Sequence, residues 1–188
     1  MNVTKDKISS VFFQYSIPSV LGMLAISSAN IVDGFFVGNY VGDFGLAAIN
    51  ISLPIFSLLF GFALMLAIGG SVIAGKLIGE EDIKNASIIF TKTIVCITFF
   101  SFIACSLLFI NIETVLYLFG ADENLTKIAI EYLSVIVIFI PFLMIGVVLD
   151  YFVRVDNRPN LAFIALLSSA IINVILDWFL IVYLQKGI

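Results

Sequence analysis

Two carboxylates in this chain stand at depths where a carboxylate is costly. Asp177 lies in "INVILDWFLI", residues 172–181, and Asp33 lies in "ANIVDGFFVG", residues 29–38. Both runs are otherwise apolar, apart from Asn173 and Asn30. Asn30 precedes Asp33 by three residues and Asn173 precedes Asp177 by four, so each amide can share a helix face with its carboxylate. No Lys or Arg lies within a helical turn of either Asp. An ionisable group inside a membrane span points to a proton or ion path. Two carboxylates that share such a site titrate as one coupled unit, able to take up and release protons. Carboxylate and amide oxygens equally suit a hard cation such as Na⁺. The alternative is that each Asp lies near the interface with its carboxylate hydrated.

The elements that would position these groups follow from composition. Of 188 residues 62% are hydrophobic and 12% charged, and mean hydropathy is +1.19. Apolar runs of about 20 residues recur, the signature of an integral membrane protein. Only helices or closed barrels cross lipid, because the backbone must satisfy its own hydrogen bonds there. These runs are long and do not alternate as barrel strands would. The expectation is an all-α polytopic bundle with spans at residues 11–38, 45–78, 85–110, 125–153 and 160–184. The second span is expected to leave the bilayer within "GKLIGEEDIK". The first apolar run is longer than the core of a signal peptide and reads as an uncleaved membrane helix.

Turn chemistry separates the spans. "GNYVGDFG" is rich in glycine, "GEEDIKN" is a charged loop, and "FGADENLT" offers Gly and then an acidic helix start. "RVDNRPN" places Pro159 at the start of the fifth span, where proline is tolerated. Pro18, Pro54 and Pro141 fall inside spans, where each removes a backbone donor. Ala67, Ser71, Gly75 and Gly79, spaced by four, read as a packing face.

Lys and Arg in the flanks set orientation. Lys5, Lys7, Lys76, Lys84, Lys92, Arg154 and Arg158 fall on one side, Lys127 and Lys186 on the other. That excess puts the N-terminus in the cytoplasm. The first and fifth spans then both run outward. Asp33 lies about 21 residues into the first, roughly 31 Å, and Asp177 about 17 residues into the fifth, roughly 25 Å. Within the error of the boundaries the two share a depth.

Other charges have simpler readings. Glu80, Glu81, Asp82, Asp122 and Glu123 are turn charges, and Asp150 is expected to pair with Arg154 four residues on. Cys96 and Cys105 would lie roughly 13 Å apart on one helix, too far to bridge. The chain has no His, and its net charge of −4 gives no reason to expect nucleic-acid binding. A carboxylate–metal enzyme needs several carboxylates converging on its ion, and the spans do not supply them. Neither enzymatic activity, nor a metal, nor a cofactor is expected. The 19 Phe and 6 Tyr either line a cavity for aromatic cations or face lipid and neighbouring helices.

Three stretches carry a family resemblance. "IPSVLGMLAISSANIVDGFFVGNYVGDFGLAAINISLP" resembles the first helix and following turn of the multidrug and toxic compound extrusion (MATE) family. "GGSVIAGKLIGEEDIKNAS" is similar to its second helix and cytoplasmic loop, and "YFVRVDNRPNLAFIALLSSAIINVILDWFLI" to its fourth-to-fifth helix region. The resemblance implies a plasma-membrane antiporter that exports organic, often cationic, compounds in exchange for H⁺ or Na⁺. It implies a cation site at Asp33, Asn173 and Asp177, with Asn30 as possible support. It also implies about twelve helices in two six-helix lobes. On that footing residues 1–188 form a single transmembrane domain, an incomplete N-terminal lobe, and the expectation is a truncated product whose missing helices come from the full-length chain. A related lipid-linked oligosaccharide flippase is the alternative, although no basic residue lies deep in a span to meet a lipid phosphate. A non-functional membrane remnant is a further one.

Overall fold

The computed structural model describes residues 7–184; Lys5 and Lys186, which contribute to the charge bias, lie outside them. The order is α1 (Ile8–Tyr40), α2 (Asp43–Gly79), α3 (Ile83–Ile110), α4 (Ile112–Leu118), α5 (Glu123–Val155) and α6 (Pro159–Asp177), followed by a π-helical segment (Trp178–Tyr183). No strand occurs among the described residues. Five helices are long and apolar enough to cross a membrane, the fifth being α6 with its π-helical continuation. Each end of the five expected spans falls within three residues of its observed position. Pro18, Pro54 and Pro141 lie inside α1, α2 and α5, and Pro159 opens α6.

The turns use the residues that the sequence offers. Gly42 and Gly120 take φ +93°, a left-handed conformation that glycine adopts without steric cost. Asp82 caps α3 by accepting from Asn85 N–H at 3.1 Å, and Asp122 accepts from Leu125 N–H at 2.7 Å at the start of α5. Each cap satisfies a donor that the first turn leaves orphaned. Two features depart from the expected pattern. The short α4 occupies the connection between the third and fourth spans, and the fifth span passes from α to π geometry after Asp177. α2 stays helical through Gly79.

The chain divides into two compact units, Val41–Phe152 and the combination of α1 with Val153 onward. In the first, α2, α3, α4 and α5 share one core that includes Ala63, Ala67, Ile97, Leu116, Leu133 and Met144. Close approach rests on small residues: a Cβ added at Gly70 would collide with Thr93 Oγ1 and lie 3.1 Å from Phe152 Cζ. Lipid is as apolar as leucine, so such packing, rather than removal of apolar surface from water, holds spans together. The expected row is buried at Ala67 and Ser71, but Gly75 is only half-buried and Gly79 exposed. Steps of four advance about 40° each on an α-helix, so three steps carry the row about 120° off the contact. Ala74 continues the buried stripe instead. Cys96 and Cys105 are both free, the first exposed and the second buried.

The other unit is built on α1 and α6. α1 buries Gly22, Ala29 and Val37, and α6 buries Pro159, Ala162 and Ala170. Gly22 sits against Leu166, where an added Cβ would lie 2.8 Å from Leu166 Cδ1.

Candidate cation site

Asp33 lies seven residues before the end of α1, and Asp177 is the last residue of α6. Both side chains are half-buried. The pair meets because α1 and α6 run parallel in a constant register. Tyr15 bonds to Asn157, 142 residues later. Gly22 packs on Leu166, 144 residues later, and Asp33 and Asp177 share that offset of 144. The two acids therefore stand at one axial level on neighbouring helices.

Asp177 Oδ2 is buried without a hydrogen-bond partner among the described residues. An acceptor so placed is costly unless a proton, a cation or a hydrogen-bond donor such as water meets it. The helix changes to π geometry at the next residue, a departure that recurs at functional sites in other helices. Phe179 and Tyr183 stack within that segment, ring centroids 5.6 Å apart.

The two amides are arranged differently. Asn30 and Asn173 are exposed, and among the described residues no hydrogen bond joins either to a carboxylate. They stand one turn before the acids on their helices, at matching axial levels. A groove of about 340 Å³ runs between α1 and α6 on the N-terminal side of the pair. Ala25, Ala29 and Val32 line one wall and Ala170, Val174 and Ile175 the other, with Ser28 as a polar lining residue.

At the opposite end of the same helices is a polar cluster that sequence reading does not assemble. Tyr15 Oη donates to Asn157 Oδ1 at 2.7 Å. Arg154 Nη1 donates to Ser19 Oγ at 2.7 Å, and Ser19 Oγ donates to Tyr15 O at 2.7 Å. By spacing alone, Arg154 is a helical partner for Asp150. The sole sequence signal for the cluster is the polar turn before Pro159.

An all-α chain with five candidate spans and a paired carboxylate inside two of them is a multi-pass membrane protein. The model of the MatE family matches residues 18–179, and the chain belongs to that family, the multidrug and toxic compound extrusion proteins. The multidrug export protein MepA of Staphylococcus saprophyticus is 29% identical over 177 residues, covering 92% of this chain and 39% of that protein. MepA of Staphylococcus aureus (strain bovine RF122 / ET3-1) is 24% identical over 182 residues, again 39% of its length. The chain thus spans about 39% of the curated relatives it matches. A crystal structure of MATE in complex with MaD3S superposes with a TM-score of 0.87 at 24% identity, covering 92% of this chain and 39% of that one. An outward-facing multidrug resistance MATE family transporter of the MOP superfamily gives 0.86 at 24% identity, covering 92% and 38%. These structures establish the likeness of fold.

Proposed function

We propose that this chain is part of the N-terminal lobe of a plasma-membrane secondary antiporter that exports organic, mostly cationic, compounds in exchange for H⁺ or Na⁺. The observation that carries the reading is the Asp33–Asp177 pair, half-buried between two apolar helices. A carboxylate pair inside membrane spans is costly, and ionisable residues so placed mark ion and proton paths. Asp33 and Asp177 bind the coupling ion, with Asn173 and then Asn30 supplying amide oxygens. The relatives' names, multidrug export proteins, support the substrate class. The Lys and Arg bias supports a cytoplasmic position for Lys7, Lys76, Lys84 and Arg158, with the carboxylates in the outer half of the membrane. The helices of the remaining lobe complete the substrate path.

The test is efflux of a cationic dye from cells expressing the full-length protein, with Asp33→Asn and Asp177→Asn variants. Both variants reach the membrane at normal levels and lose coupled efflux. Efflux at the parent rate in either one sinks the reading.

A further inference from the structure

We infer that Tyr15, Ser19, Arg154 and Asn157 form a positioning clamp that sets the axial register of α1 on α6 and so holds Asp33 level with Asp177. The inference rests on the cation-site reading for its functional meaning, though not for its geometry.

The surfaces of α1 and α6 are poor at fixing register alone. Their buried residues are mostly small: Gly22 and Ala29 on one helix, Ala162 and Ala170 on the other. Small residues permit close approach, but they present shallow ridges to a sliding partner. Sliding also meets little opposition from solvent, because lipid and helix surface are equally apolar. Gly22 against Leu166 is one interlock, and it engages the far end of a flexible side chain.

Hydrogen bonds are different, because they are directional and weaken steeply when misaligned. Tyr15 and Ser19 lie one turn apart on α1. Their partners Arg154 and Asn157 lie in the last turn of α5 and in the bend before α6. Each contact across the junction is 2.7 Å. All four side chains are half-buried, which shields the bonds from competing water. Asn157 holds φ +62°, and asparagine is one of the few non-glycine residues that tolerates this region. An axial slip of one residue, about 1.5 Å, breaks both bonds across the junction. A slip of one turn, about 5.4 Å, moves Asp33 a full turn away from Asp177.

The experiment reads register directly, with the full-length protein in lipid nanodiscs and its native cysteines, Cys96 and Cys105 among them, replaced by Ala. Oxidative cross-linking compares the pair Val32→Cys/Ile175→Cys with pairs one turn to either side, Val32→Cys/Ile171→Cys and Ser28→Cys/Ile175→Cys. A separate pair, Phe62→Cys/Phe100→Cys, reports whether the α2–α3 packing is intact; the native rings there are 4.8 Å apart. Tyr15→Phe, Ser19→Ala and Arg154→Gln each lower the ratio of in-register to slipped product by roughly fivefold, the effect of losing one hydrogen bond of ordinary net strength. Ser19→Thr, which keeps the hydroxyl, restores the ratio. The control cross-link is unchanged throughout. An unchanged ratio in the clamp variants overturns the inference. So does loss of the control cross-link in parallel with register, which makes the four residues general fold stabilisers. The readout involves no transport, so its failure is separable from that of the cation reading, which efflux in the Asp33→Asn variant decides.

Discussion

Gly22 of α1 receives Leu166 of α6 so closely that a single added methyl group would stand 2.8 Å from Leu166 Cδ1. The pair has the same sequence offset as Asp33 and Asp177 at the far end of the same helices. Packing in the lower part of this unit and the placement of its two carboxylates are thus one geometric fact.

Gly22 and Gly70 should respond differently to alanine. At Gly22 the obstructing atom is the tip of a leucine, which can rotate away. At Gly70 it is Oγ1 of Thr93, a β-branched side chain held by a 2.9 Å bond to Ile89 O. Gly70→Ala therefore destabilises by about 1–3 kcal/mol, the usual range for overpacking, and Gly22→Ala by less. Reversible unfolding in mixed micelles measures both. Adding Thr93→Ala to Gly70→Ala recovers much of the loss, and a double-mutant cycle gives the coupling.

The two carboxylates should behave as one unit in transport. If each is needed to hold the coupling ion, Asp33→Asn, Asp177→Asn and the double variant lose dye efflux to the same extent, because groups acting together are not additive. Initial efflux rates from energised cells decide this. A double variant much worse than either single one would mean that the acids act separately.

Asp122→Ala removes the acceptor for Leu125 N–H and should cost about 1 kcal/mol, typical of a lost N-cap. The same unfolding measurement applies. Asp122→Asn retains an acceptor at that position and should lose only a fraction of that amount.

The cysteines give a chemical check on the packing of α3. Cys96 is exposed and Cys105 buried. In detergent, N-ethylmaleimide should modify one thiol per chain, and in SDS two, as counted by intact mass. No intramolecular disulfide should form under oxidation, because a rigid helix holds the thiols apart.

Sidedness follows from the charge bias. Cysteine at Lys84 should be protected from an impermeant maleimide added to intact cells, and cysteine at Glu123 should be labelled. The reverse pattern would invert the orientation proposed for the chain.

Much of this molecule is legible in its sequence alone. Apolar runs of this length admit one backbone solution in lipid, so the five spans follow from composition and turn chemistry. Asp33 and Asp177 stand out because a carboxylate at such depth needs a reason. Their distances along the first and fifth spans, roughly 31 and 25 Å, are compatible with one level within the error of the span boundaries. What the sequence does not contain is which faces meet. Soluble helices announce a buried stripe by alternating with polar residues, whereas these spans are apolar nearly all round. The evenly spaced row from Ala67 to Gly79 drifts off its contact because steps of four overshoot the helical turn, while Gly22 and Gly70 carry the close approaches without any visible pattern. Arg154 has the spacing of a partner for its own helix, and only the packing of α1 beside α6 brings Ser19 to it. The parallel register that brings Asp33 level with Asp177 is likewise decided by tertiary packing. Contacts between residues more than a hundred positions apart, in helices of uniform polarity, leave no local trace in the chain.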